Sequence, residues 1–226
     1  MCKPFIGNHQ FNLIRKQANL LLQACQSASD PQVAESVRAG VKGRIESEFP
    51  DATELELRLL DKVTDARSEE EIRKAVQALE PFLTEFPPLT EKLLKQLFPK
   101  VKKLKLPDLS AVDFRRLTYL SWTDIATNRM YLVYSGNGHD GNGRLDGIEG
   151  RFTPVHKKSV CFLCNRHSEV VLFSAVSKAK PANASPDYYK AVGNYLCRDG
   201  GACNRHITSV AALEKFIREV TGAHES

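Results

Sequence analysis

Cys161-Phe162-Leu163-Cys164 is followed, 32 residues later, by Cys197-Arg198-Asp199-Gly200-Gly201-Ala202-Cys203, so that four of the six cysteines fall into two close pairs. Two thiols separated by two residues on a tight turn converge on one ion at about 2.3 Å each, and a second pair closes a tetrahedron. Zinc suits an all-sulfur site because it is redox-inert and accepts four soft ligands without geometric strain. Two disulfides would require an oxidising compartment, and a redox dithiol normally stands alone at the start of a helix. His156, His167 and His206 lie near the cysteines in sequence, but four thiolates already complete the shell, so the histidines are read as non-ligands. A closed shell leaves no position for water or substrate, which assigns the ion a structural role. The prediction is one structural zinc held by Cys161, Cys164, Cys197 and Cys203.

Outward from this centre, the chain has 226 residues, 42% apolar and 26% charged, with a formal charge of +5. Those values fit an ordinary water-soluble fold of one large or two modest domains, and the charge is too small by itself to indicate a nucleic-acid binder. No run of 18 apolar residues offers a membrane span, and the first residues lack the form of a signal peptide. With Cys2 and Cys25 expected to be free thiols, the expectation is a reducing cytoplasm.

Before the cysteines, residues 1–84 read as a bundle of four helices. Phe11, Ile14, Ala18, Leu21, Leu22 and Cys25 recur at helical spacing, and Asp30-Pro31 supplies a cap and a first-turn proline. Val33, Val37, Val41 and Ile45 continue at intervals of four. Leu55, Leu59, Leu60 and Val63 line a third helix. Ser68-Glu69-Glu70-Glu71 is a capping box opening a fourth, with Ile72, Ala75, Val76 and Leu79 inside. Phe86-Pro87-Pro88 marks the boundary with a second domain over 85–226.

In that second domain Thr90–Phe98 reads as a short helix. The alternation in Lys100–Pro107 predicts a half-buried or edge strand, and 110–120 one further short helix. Strands are predicted over 128–134, 145–152 and 169–176, with Gly193–Leu196 leading into Cys197. Asp140, Asn142 and Asp146 hint at a calcium loop, but Leu145 and Arg151 occupy its sixth and twelfth positions, where glycine and glutamate belong. A long hairpin loop is expected there instead. Ser209 should cap a last helix whose Leu213, Phe216, Ile217 and Val220 share a face. Knuckle, hairpin, second cysteine pair and helix make a treble-clef zinc finger over about 156–222. The fold class is therefore α+β: an N-terminal four-helix bundle, then an α/β domain containing a four-cysteine treble clef. No phosphate loop, metalloprotease helix, nucleophile elbow or dinucleotide turn is present, which favours binding over catalysis.

Cys161-Phe-Leu-Cys164-Asn165, Leu172-Phe173, Gly193-Asn-Tyr195-Leu-Cys197-Arg-Asp199 and Cys203-Asn204 resemble the C-terminal finger of the FusB-type proteins, which bind elongation factor G and are associated with fusidic acid resistance. His9-Gln10-Phe11-Asn12, Lys100–Pro107 and Trp122 through Tyr131 are similar to the family's other segments, so the likeness covers nearly the whole chain. It implies a cytosolic protein of two domains; a monomer without enzymatic activity is expected. Its C-terminal domain would hold the C-terminal domains of the factor and help release it from the ribosome when the drug has trapped it. It also implies that Tyr195 and Phe216 face the partner; packing inside the finger is the other reading of both. The relatives' label "fibronectin-binding protein" does not suit a chain read as having no signal peptide. The sequence departs from the family at Val160, aromatic in the resistance-conferring type, and at Val192, a lysine there, with Lys190 nearby. Two other functions remain open at this stage. One is a zinc-dependent RNA- or ribosome-binding module using Lys92 to Lys105 with Arg198 and Arg205. The other is a thiol oxidoreductase, which would need a reactive cysteine.

Overall fold

Helix α1 (Asn8–Ser27) forms the spine of the first unit, with α2 (Pro31–Glu46), α3 (Glu54–Asp65) and α4 (Glu69–Ala78) packed against it and one another. The computed structural model describes residues 2–27, 30–136, 144–179, 183, 185 and 187–222. The chain divides into two compact units, Met1–Thr84 and Glu85–Ser226.

Helices α2, α3 and α4 each start where the sequence supplies a cap. The Asp30 carboxylate accepts from the Gln32 N–H at 2.8 Å, with Pro31 at the first helical position. Ser68 Oγ accepts from the Glu71 N–H at 3.2 Å while the Glu71 carboxylate reaches back to the Ser68 N–H at 3.3 Å. Thr53 and Glu56 form the same reciprocal box at the head of α3. At the other end of α3 the buried Arg38 donates to the carbonyls of Thr64 and Ala66, which have no partners within the helix. The core collects Phe11, Ile14, Leu21, Ile45, Leu60, Val63, Ile72 and Leu79. Each such side chain contributes about 1.5–3 kcal/mol by leaving water. Ile6 pairs with Leu83 as a parallel bridge, tying the beginning of the unit to its end. Three expected core positions are corrected: Val33, Leu55 and Cys25 are exposed, because they lie at helix ends beyond the reach of the neighbouring helices.

The second unit is built on an antiparallel five-stranded sheet. Its strands are β1 (Tyr119–Asp124), β2 (Arg129–Ser135), β3 (Leu145–Pro154), β6 (Val170–Val176) and β7 (Ala191–Cys197), in that spatial order. Between β3 and β6 the chain detours through a two-stranded ribbon, β4 (Ser159–Val160) and β5 (His167–Ser168). The period of two sorts the residues. Tyr119, Met130, Leu132, Ile148 and Phe173 face the finger core, with α7 (Ala211–Thr221) against them. Leu120, Tyr131 and Val133 face outward under α5 (Glu91–Leu97). Gly147 lets α5 come this close, since a Cβ there would sit 3.0 Å from Leu97 and Phe98.

Two elements differ from expectation. Lys100–Pro107 is irregular backbone rather than a strand, held by Val101, Leu104 and Leu106 against the outer core and by the Trp122 indole N–H donating to the Lys105 carbonyl at 2.8 Å. Residues 110–120 form no α-helix. Asp108 and Asp113 start two 3-10 turns, Leu109–Ala111 and Phe114–Arg116, and β1 begins at Tyr119. The 137–143 run, including Asp140 and Asn142, lies outside the described residues, as do 180–182, 184 and 186 in the β6–β7 connection.

Candidate metal centre

The first cysteine pair sits on a turn fixed by its own backbone. The Cys161 N–H donates to the Arg166 carbonyl at 3.0 Å and the Asn165 N–H to the Cys161 carbonyl at 2.9 Å. Asn165 closes the turn in the left-handed region, φ 54°, which asparagine tolerates better than most residues. The ribbon β4–β5 clamps both ends of this knuckle. The second pair is delivered by β7, which ends at Cys197, and by a short helix α6 (Gly200–Asn204) that carries Cys203. Asp199 caps α6, its carboxylate accepting from the Gly201 N–H at 2.8 Å. The five residues between Cys197 and Cys203 are thus a cap and a helical turn. Cys203 lies on α6 and not at the start of the last helix, α7, which follows with Ser209 Oγ accepting from the Ala211 N–H at 3.3 Å.

The four sulfurs lie within 4.8 Å of one another, with Cys161–Cys203 at 3.8 Å and Cys164–Cys197 at 3.6 Å. A tetrahedral ion with bonds of about 2.3 Å requires sulfur–sulfur edges of about 3.8 Å, so the donors fit zinc. All four cysteines are buried. Mutual sulfur hydrogen bonds, from Cys164 first, pull the Cys161 thiol far down, while the same network, led by Cys161, pushes Cys203 far up. Packed sulfurs without a cation must share protons; a divalent ion lets all four ionise together. The exposed His156, His167 and His206 stay outside the cluster. These cysteines hold one structural zinc ion.

Partners around the sulfurs complete the centre. The Cys197 N–H donates to Cys161 Sγ at 3.4 Å, and Ser168 Oγ lies 3.1 Å from Cys197 Sγ. Tyr119 is fully buried beside the cysteines, and its hydroxyl has no hydrogen-bond partner among the described residues; burial first, then the charge of Cys203, raises its pKa well above the ordinary value. The Cys197 N–H and Ser168 contacts orient thiolates and set their basicity. Nothing in cysteine spacing could have pointed to Tyr119, which lies 42 residues before Cys161. Asn204 was legible only as part of the Cys203-Asn204 pair.

The two aromatic candidates part company. Phe216 is 2% exposed and packs on Phe162 and Phe173 at ring distances of 5.6 and 5.8 Å. Tyr195 is 44% exposed on the edge strand β7, directly opposite exposed Leu172 of β6. Its carbonyl accepts from the Phe162 N–H at 2.9 Å, which joins it to the knuckle and, through the Phe162 ring, to Phe216. Val160 is exposed, whereas Val192 packs against the finger core.

The knuckle, hairpin and short ligand-bearing helix define a zinc-binding protein of the treble-clef class. Residues 98–223 match the FBP C-terminal treble-clef zinc-finger family, and residues 5–87 match the N-terminal domain of elongation factor G-binding proteins. The chain belongs to this FusB-type family. A solved structure of the fusidic acid resistance protein FusC shares the fold with a TM-score of 0.75 at 24% identity, over 96% of this chain and 98% of that one. No curated protein matches. No described helix is long and apolar enough to cross a membrane.

Proposed function

We propose that this protein binds elongation factor G through the finger and promotes its release from the ribosome, protecting translation from stalling by fusidic acid. The observation that carries the reading is the exposed cross-strand pair of Leu172 on β6 and Tyr195 on β7, the strand that ends in a zinc ligand. A tyrosine buries a large area with few rotors, and here its backbone is already fixed by the knuckle, so little entropy is lost on docking. Exposed Val160 lies on the ribbon that leads into the same knuckle. Tyr195 is assigned to the contact itself, and Phe216 to the layer behind it, where it supports Phe162. The partner surface belongs to the C-terminal domains of the factor, and the protein acts as a monomer in the cytoplasm. Release needs no bond chemistry. It requires tighter binding to the released conformation of the factor than to the trapped one.

Calorimetry of the zinc-loaded chain with elongation factor G of the same host tests this. One-to-one binding is expected, weakened by about 2 kcal/mol or more in Tyr195→Ala, the size of an interface hot spot, with zinc content unchanged. Absence of binding sinks the assignment. Binding unaffected by Tyr195→Ala moves the interface elsewhere.

A further inference from the structure

β3 and β6 are paired only from Arg151 to Pro154 and from Val171 to Ser174. Beyond Arg151 the strands part: β3 runs back along β2 to Leu145, and β6 runs along β7 to Val176. A cavity of about 630 Å³ occupies the fork, bounded by the end of α5, by β3, by the end of β6 and by the last turn of α7. Sites for small molecules span about 300–1,000 Å³.

The lining is charged on one side and apolar on the other. Lys100, Arg129, Arg151 and Lys178 border it with a single carboxylate, Glu149, which lies 3.8 Å from Arg129. Among the described residues, Lys100, Arg151 and Lys178 have no acidic partner. Arg129 and Arg151 are direct cross-strand neighbours. Like charges in that arrangement weaken a sheet, and one shared anion reverses the sign of the interaction. Guanidinium forks match phosphate oxygens in pairs, and lysines add point charge around them. The other wall presents Val176 and Tyr189, exposed by 53% and 69%.

From this juxtaposition we infer that the fork binds a small phosphorylated molecule with a planar or apolar body, of the nucleoside phosphate class. The phosphates sit between Arg129 and Arg151 with Lys100 and Lys178 beside them, and the planar part lies against Tyr189 and Val176. The inference does not rest on factor binding.

The test is titration of the zinc-loaded full chain with ATP, GTP and inorganic phosphate, by calorimetry and by fluorescence. The only tryptophan, Trp122, is a natural reporter because Phe98, a cavity residue, meets its ring edge-on at 5.7 Å. Saturable one-to-one binding of a nucleotide is expected, with inorganic phosphate weaker. Arg151→Ala and Lys178→Ala should each loosen the nucleotide about tenfold, the loss of a charge-assisted contact. Tyr189→Ala should loosen the nucleotide and leave inorganic phosphate unchanged. All three side chains are exposed, so the variants should keep their zinc and their circular dichroism, which confirms that the fold survives. Failure of all three probes to saturate at millimolar concentration overturns the inference. So does a nucleotide affinity indifferent to Arg151→Ala and Lys178→Ala, or binding shown only by single-stranded RNA.

Discussion

Asn204, one residue past the last zinc ligand, is 3% exposed and spends both ends of its amide on the backbone. Its Oδ1 accepts from the N–H groups of Thr118 at 2.7 Å and Tyr119 at 3.2 Å. Its Nδ2 donates to the carbonyls of Tyr119 at 2.8 Å and Gly200 at 2.9 Å. The short helix that presents Cys203 is thereby fastened to β1, at the opposite edge of the sheet from β7. Gly200 permits the approach, because a Cβ there would lie 2.2 Å from Ser121 Oγ. Asn204→Ala removes four bonds and strands buried donors and acceptors, each costing about 1–3 kcal/mol. The second unit should lose about 3 kcal/mol or more in urea denaturation followed by Trp122 fluorescence. A loss below about 1 kcal/mol would mean that the amide is not the fastening.

At the level of elements, two predictions concern the helical unit. The α4 box makes Ser68→Ala cost about 1 kcal/mol, read as a lower urea midpoint in the ellipticity at 222 nm. Burial pushes His9 down from 6.5 to about 4. The folded imidazole is therefore neutral in a window where the unfolded one takes up a proton. Stability is complete above pH 6.5 and falls as the pH drops towards 4, by at most about 3 kcal/mol. Zinc thiolates also protonate in acid, so the check is the difference between the wild type and His9→Gln, whose slope over the same window should be flatter. Equal slopes would remove His9 from the account. α4 was legible because its cap, its acidic first turn and its apolar face are all local. Thr53 and Glu56 carry the same signature. Lys100–Pro107 misled because alternation records which side chains are buried, not whether the backbone has a strand to pair with. In 110–120 the aspartates at 108 and 113 bond N–H groups two residues on, at 3.0 Å each, which starts 3-10 turns where a short helix is expected. The zinc ligands were readable because coordination chemistry dictates cysteine spacing. Tyr119 and Asn204 were not, since their roles depend on which strand the fold brings to the cluster.

Over the whole molecule the optical probes separate the two units. The tryptophan and all six tyrosines lie in residues 85–226, while the four longest bundle helices, α1 to α4, lie in 1–84. A structural zinc contributes about 10–16 kcal/mol, as much as or more than the 5–15 kcal/mol that holds a typical domain folded. Its removal should therefore unfold the finger. Whether the loss stops there depends on the Asn204 link, because that link joins the metal-bearing helix to β1, and Trp122 stacks on Tyr131 of β2 at 5.1 Å. The prediction is that a strong chelator at neutral pH abolishes the near-ultraviolet signal and shifts Trp122 emission to the red, while most ellipticity at 222 nm persists. Cys161→Ser and Cys197→Ser should reproduce this without chelator and should lack zinc by elemental analysis. Simultaneous collapse of both signals would show that the bundle depends on the finger for its folding. Zinc content unchanged in either variant would remove that cysteine from the coordination shell.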